Sequence, residues 1–314
     1  MSLNAACSSA ANSSSVGTAG TKELEMIVAG ELVVKLTNRD LREDALLELC
    51  KRKEIFPDLG PLIWNTAGTI AALLQEILSI YPDLSRSQTL TLARSTRVCN
   101  AVALLQCVAL HPDTRMPFLR ANIPLYLYPF LNNMNTSTPF EYLRLASLSL
   151  IGALVKDDDT EIIRFLLDNE IFPLCLGRME NGGGELSKEV AIYIVQKILS
   201  TDVGLDYVCV NAERLLFFIR VLGSVVGELV NERPSLKILK RIIGCYLRLS
   251  DNPMACEALR VDGLPDVLKD DTFNGCLRED PSTRKYLLEL LYRVLGLPVP
   301  LQNWDMTQVR SYAR

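Results

Sequence analysis

One histidine stands in 314 residues, and that scarcity excludes a great deal. A nucleophile–base–acid relay needs a base that titrates near neutrality, and histidine is the usual choice. One histidine, with no Cys-x-x-Cys pair anywhere, does not make a zinc site of the usual kind. HExxH, GxSxG, GxGxxG and the DxDxDG calcium loop are all missing. No metal or cofactor is expected, and an enzyme is the poorest reading. No stretch approaches 18 uninterrupted apolar residues, so no membrane span is expected. The N-terminus MSLNAACSSAANSSSVGTAG lacks the basic start and long apolar stretch of a signal peptide. Neither sign of charge dominates. The 33 Lys and Arg are outnumbered by 37 Asp and Glu, for a net charge of −4, which argues against a protein made to wrap nucleic acid.

What the chain does have is apolar mass. Hydrophobic residues make up 49%, enough for the core of one large domain over residues 21–295. Residues 1–20, rich in Ser, Ala, Asn and Gly, are expected to be disordered. Residues 296–314 read as an extended tail carrying Trp304. The nine cysteines are irregularly spaced and mostly lie inside apolar helical patterns, so they read as free thiols of an intracellular protein.

The apolar periodicity is helical throughout, and prolines punctuate it. Thr21–Leu36 and Arg42–Lys53 are helices, the second ending in Lys51, Arg52 and Lys53. That charge run suits a solvated helix C-terminus better than a binding patch. Leu62–Tyr81 reads as one long helix. A pattern from Val98 to Leu110 stops at His111-Pro112, and the next begins near Asp113 and stops at Ile123-Pro124. The spacing from Pro112 to Ile123 recurs from Pro253 to Leu264, with Pro124 and Pro265 following in turn. A weaker copy runs from Asp157 to Pro173. Copies separated by roughly 40 to 50 residues match the length of armadillo and HEAT units. The fold expected is all-α, an armadillo-like right-handed superhelix or α-solenoid.

The repeat also disposes of apparent chemistry. Asn252 occupies the place of His111 in the second copy, so both are expected to cap a turn through a local hydrogen bond. Asp157, Asp158 and Asp159 precede a helix and read as its N-terminal charges rather than a cation site. Asn181-Gly182-Gly183-Gly184 lacks the P-loop frame and reads as a loop between helices. Function is therefore expected on surfaces. Tyr126, Tyr128 and Phe130 in IPLYLYPF alternate too closely to face one way, which makes that segment a candidate contact patch. Lys237, Lys240, Arg241 and Arg248 favour nucleic acid if they form one stripe, and a protein partner if they are scattered.

The motifs KRKEIFPDL, GTIAALLQEI, RVCNAVALLQCVALHPDTR, IPLYLYPFL, PFEYLRLASL, IGALVKDD, ELSKEVA and CYLRLSDNP, spread over residues 43–295, resemble the required-for-cell-differentiation family. Its members are the armadillo-repeat subunit of the Ccr-Not deadenylase complex. The resemblance implies a non-catalytic adaptor of cytoplasm, mRNA-processing bodies and nucleus. Such a subunit binds the large scaffold subunit of that complex and recruits regulators for mRNA deadenylation, decay and translational repression. Some of those regulators insert tryptophans into pockets, and others lay a short amphipathic helix in a groove. The resemblance also implies a homodimer when the partner is absent. A nucleic-acid-associated transcription cofactor is the alternative, with nucleic-acid contact weak or indirect.

Carried over by position, the helix groove falls on Trp64, Asn65, Ala67, Ala71, Val190 and Arg214. Tyr142 in PFEYLRL, with Tyr126 and Tyr128, becomes a scaffold-binding candidate, the bland reading of Tyr142 being a core aromatic. Three departures stand out. Asn65 and Ala67 replace the His and Phe of the animal motif WHSF. Met254 replaces an Arg of NPRAREALR beside the tryptophan pockets. Ala212 replaces the Tyr of the YER pattern.

Overall fold

The computed structural model describes residues 14–84, 90–180, 184–231 and 235–296, and among these there is no strand. The all-α class expected from the sequence is what is found. The chain divides into two compact units, Met1–Ala121 and Asn122–Arg314. Outside the described residues lie Cys7, the polar connection from Ser85, Asn181 to Gly183, the Arg233-Pro234 link, and the tail from residue 297 with Trp304.

The first unit contains α1 (Ser14–Lys35), α2 (Arg42–Arg52), α3 (Leu59–Asn65), α4 (Thr69–Leu78), the single turn α5 (Tyr81–Leu84), α6 (Leu92–Leu110) and α7 (Pro112–Arg120). The first helix begins at Ser14, inside the stretch expected to lack order. Its later turns are anchored by buried Ala29 and Val33, and a nucleated helix extends cheaply.

The long helix expected over Leu62–Tyr81 is instead two helices joined at Thr66, Ala67 and Gly68. Thr66 is extended (ψ 122°), and Gly68 takes φ +81°, a left-handed conformation for which glycine carries no Cβ penalty. Thr69 locks the break, its buried hydroxyl donating back to the carbonyl oxygens of Ile63 and Thr66. Thr114 repeats the device, donating to Val108 O at 2.7 Å across the α6–α7 corner.

One buried carboxylate ties this unit together. Glu76 on α4 receives Arg42 Nη1 of α2 at 3.0 Å, and Arg97 Nε and Nη2 of α6 at 2.6 and 3.0 Å. Arg42 also donates to Leu36 O at 2.7 Å. Burial pushes the Glu76 carboxyl upward, but the hydrogen bonds and charges of Arg97 and Arg42 outweigh it and hold the group below its ordinary value.

The second unit contains α8 (Tyr128–Asn132), α9 (Thr138–Leu154), α10 (Thr160–Asp168), α11 (Ile171–Glu180), α12 (Glu185–Ser200), α13 (Asp202–Cys209), α14 (Ala212–Asn231), α15 (Leu236–Leu249), α16 (Pro253–Ala258), α17 (Asn274–Glu279) and α18 (Pro281–Leu295). Six of these helices, α8 to α12 and α15, pack on the one three places further along. One layer runs α9, α12, α15, α18; another runs α8, α11, α14; and α10 packs on α13. A period of three helices is what stacked three-helix repeats produce.

The corners are closed by side-chain caps in both units. His111 Nδ1 accepts from Asp113 N at 3.2 Å, and Asn252 Oδ1 accepts from Met254 N at 3.0 Å and Ala255 N at 3.1 Å. The two residues matched by sequence thus do the same work. Asp159 does it in the third copy, accepting from Glu161 N at 2.8 Å, and Thr201 adds a fourth corner, accepting from Gly204 N at 3.1 Å. The last corner is tight: a Cβ on Gly204 would lie 1.9 Å from Ile198 O.

Two stability tests follow from these contacts. Glu76→Gln leaves two guanidinium groups without their carboxylate and is expected to cost about 3 kcal/mol at neutral pH in urea unfolding. Because the Glu76 carboxyl titrates below its unfolded value of about 4.3, its contribution is complete above that value and fades as pH falls through the lower folded one. The stability gap between wild type and variant should therefore narrow in acid. Asn252→Ala and Asp159→Ala should each cost about 1 kcal/mol and should add in the double variant.

Candidate functional site

The best-defined cluster in the second unit starts from a charge with no water. Arg144 on α9 is fully buried. A buried guanidinium must find its partners in the chain. It pairs with Glu141 one turn earlier on α9, and its Nη2 donates to Asn133 O at 2.9 Å and Asn135 O at 2.8 Å. Arg178 on α11 reaches the same loop, with Nη1 3.4 Å from Asn133 O and Nη2 2.8 Å from Met134 Sδ. Burial, and then the neighbouring Arg144 charge, lower the Arg178 pKa. The loop from Asn133 to Ser137 is thus held from beneath by two arginines. On its outer side it folds on its own Asn side chains, Asn133 Oδ1 accepting from Asn135 N and Asn135 Oδ1 from Ser137 N, both at 2.8 Å.

Above this anchor lies a shallow cavity of about 330 Å³, lined by Thr136, Thr138, Glu141, Tyr142 and Gly184. Tyr142 is 46% exposed, so it is not the core aromatic of the bland reading. Glycine is required at position 184 by close approach, since a Cβ there would lie 2.7 Å from Glu141 Oε1. That oxygen is buried without a hydrogen-bond partner.

The other candidates are placed as follows. In the first unit Trp64 is half-buried on α3, while Asn65, Ala67 and Ala71 are exposed around the α3–α4 break. In the second unit Val190 is half-buried on α12; with Tyr193 it covers Gly152 of α9, where a Cβ would meet Val190 Cγ1 at 3.7 Å and Tyr193 Cδ1 at 3.6 Å. Arg214 stacks on the Tyr207 ring at 3.8 Å and donates to Tyr207 O. Its guanidinium is therefore pre-positioned by α13 and is not a freely moving charge. Ala212 and Met254 are exposed. Tyr126 and Tyr128 are half-buried and Phe130 is buried. Burial and the nearby Glu170 carboxylate push the Tyr128 hydroxyl up to about 12, so it stays protonated.

The basic residues do not form a bare stripe. Lys240 bonds Asp280 at 3.1 Å and Ser282 at 2.9 Å. Arg241 bonds Gln196 at 3.1 Å and lies over Tyr193 at 4.8 Å. Arg248 bonds Asp202 at 2.6 Å and Asp251 at 2.9 Å, and Lys237 lies 4.0 Å from Glu189. The four share one face of α15, at 3, 4 and 11 residues from Lys237, so they are not scattered over opposite faces; each nonetheless meets an acidic or polar partner, which leaves no bare stripe for nucleic acid. The eight described cysteines form no disulfide, and burial raises Cys175 and Cys245 to about 12. Among the described residues no cluster of His, Cys, Asp and Glu has the makings of a metal site, and no helix is long and apolar enough to cross a membrane.

A family model described as "Cell differentiation family, Rcd1-like" matches residues 32–294. The chain belongs to this Rcd1-like family. It is 52% identical over 269 residues to the cell differentiation protein rcd1 of Schizosaccharomyces pombe, covering 86% of this chain and 94% of that one. It is 49% identical over 259 residues to protein CAF40 of Saccharomyces cerevisiae, covering 82% of this chain and 69% of that one. The Rcd1-like span takes in every candidate residue from Trp64 to Met254, so none of them lies in an appendage to the family domain.

Sequence reasoning missed the anchor of this Rcd1-like chain. Arginine is almost never fully buried unless paired, and nothing in the sequence reading singled out the Arg in PFEYLRL. The signal available was Glu141 three residues before it, on the same helix face. Arg144→Met deletes the bonds to both loop carbonyls and leaves Glu141 unpaired. It should lower stability by about 3 kcal/mol and raise amide exchange selectively across residues 133–137, read by hydrogen–deuterium exchange.

Proposed function

We propose that the chain is a non-catalytic adaptor subunit of the Ccr-Not deadenylase complex. It binds the large scaffold subunit of that complex and recruits regulatory proteins through short linear motifs, so that deadenylation, decay and translational repression of chosen mRNAs follow from recruitment. The observation that carries this reading is Tyr142. A half-exposed aromatic on an otherwise well-packed helix, rigidly based on the Glu141–Arg144 pair, is the kind of anchor from which protein interfaces draw their energy. Membership of the Rcd1-like family and the paired state of the basic residues support the same reading over a nucleic-acid-associated cofactor.

Two modes of contact are assigned. The α9 surface at Tyr142 takes the scaffold. The residues carried over for helix docking, Trp64, Asn65, Ala67 and Ala71 in the first unit and Val190 and Arg214 in the second, are each assigned to contacts with amphipathic client helices, with Asn65 and Ala67 selecting clients other than those of the WHSF members. Ala212 and Met254 weaken the tryptophan pockets, because a ring and a guanidinium that would stack on a guest indole are missing.

The test is binding of the full-length protein to the corresponding domain of the scaffold at physiological salt. Tyr142→Ala should weaken it by about thirtyfold, the loss of one hot-spot side chain of ~2 kcal/mol. Val190→Glu should leave scaffold binding intact and abolish docking of an amphipathic client helix, because it places an unpaired charge in an apolar contact. No binding by the wild-type chain would sink the proposal.

A further inference from the structure

Of the 15 prolines in the chain, only Pro139 follows a serine or threonine. We propose that Thr138 is a phosphoacceptor for proline-directed protein kinases, and that its phosphorylation closes the Tyr142 docking surface. The second half rests on the adaptor reading above; the first does not.

The local structure suits an acceptor. Thr136, Ser137 and Thr138 are all exposed. Ser137, the residue before α9, is already extended (φ −65°, ψ 153°), and its hydroxyl makes no cap bond. Thr138 is the first helical residue, yet it precedes a proline, and that position disfavours the helical conformation. Two backbone bonds close the first turn of α9, Phe140 N and Glu141 N each donating to Ser137 O at 3.0 Å, and their local opening presents Thr138-Pro139 as an extended segment. What lies beneath does not open with it, because Arg144 and Arg178 hold the loop carbonyls.

The chemistry is ordinary phosphoryl transfer. Thr138 Oγ1 attacks the γ-phosphorus of ATP, the bridging bond to the β-phosphate breaks, and ADP leaves. The hydroxyl proton passes to the catalytic base of the kinase. The product carries a charge of roughly −1.5 to −2 and lies four residues before Tyr142, on the same face of the same helix. Both side chains line one cavity with Glu141. The Glu141 carboxylate already occupies Arg144 and repels a second anion. The phosphate is thus kept at the cavity mouth, against Tyr142, where it bars an apolar or acidic partner surface.

The test treats full-length protein with a proline-directed kinase of the mitogen-activated class and ATP. Intact mass should rise by one phosphate, mapped to Thr138 by fragmentation, and neither Thr138→Val nor Pro139→Ala should gain it. The phosphorylated protein should bind the scaffold domain at least tenfold more weakly, and phosphatase treatment should restore binding. An unmodified Thr138 overturns the proposal, as does phosphoprotein that binds like the untreated chain while Tyr142→Ala is weakened. If the untreated chain binds no scaffold, the docking consequence falls with the adaptor reading, and the mass readout still judges Thr138 as an acceptor.

Discussion

A guanidinium sealed from water sets the terms for the start of the second unit. Arg144 is tolerable in the interior only because Glu141 neutralises it and two loop carbonyls accept from it. Those same bonds fix the polar Asn133 to Ser137 loop, which has little apolar surface with which to hold itself. The position of Tyr142 depends on this arrangement. Its neighbours Glu141, Leu143 and Arg144 all face inward or sideways, so the ring is presented outward from a rigid base. The first unit uses the mirror-image solution, a carboxylate between two arginines at Glu76. In both places a charge cluster does the fastening, and the surrounding apolar helices supply the burial.

Much of the fold was legible in the sequence, because caps and prolines act locally. His111 and Asn252 matched by position and cap by the same geometry, and Asp159 is a helix cap as its spacing implied. The break at Gly68 was not legible. Apolar periodicity continues from Leu62 through Leu73 on either side of it, and only the left-handed φ of Gly68 and the back-bond of Thr69 separate the two helices. Burial of Arg144 was hidden for a related reason: pattern reading assigns arginine to water, and only the three-dimensional position of the Asn133 to Ser137 loop reverses that. The exposure of Tyr142 was undecided because one aromatic in an apolar helix fits either face.

The groove residues were legible only through family resemblance. Nothing in the periodicity distinguishes Ala71 or Val190 from other small apolar residues. Their surroundings give them physical meaning: Val190 and Tyr193 lie over a glycine that leaves room for them, and Arg214 is clamped on a ring rather than free to roam. The basic residues show the complementary lesson. Four positive side chains close together in sequence left a nucleic-acid stripe open, and apart from Asp251, three residues after Arg248, their partners Asp280, Gln196, Asp202 and Glu189 come from other elements and were invisible to local reading.

The layer α9, α12, α15, α18 has an electrostatic consequence. Glu141 meets Gly184 where α9 and α12 begin, and Lys240 meets Asp280 where α18 begins. Arg293 meets Asp251 where α15 and α18 end. The helices therefore run the same way, and their macrodipoles lie side by side with like ends together. Such an arrangement repels itself. It is offset by carboxylates at the starting ends (Glu141, Glu185, Asp280) and by guanidinium groups at the finishing ends (Arg248, Arg293). Each edge also holds the opposite sign, Lys240 beside Asp280 at the starting ends and Asp251 between Arg248 and Arg293 at the finishing ends, so the charges that oppose the dipoles are themselves tied into bridges from helix to helix.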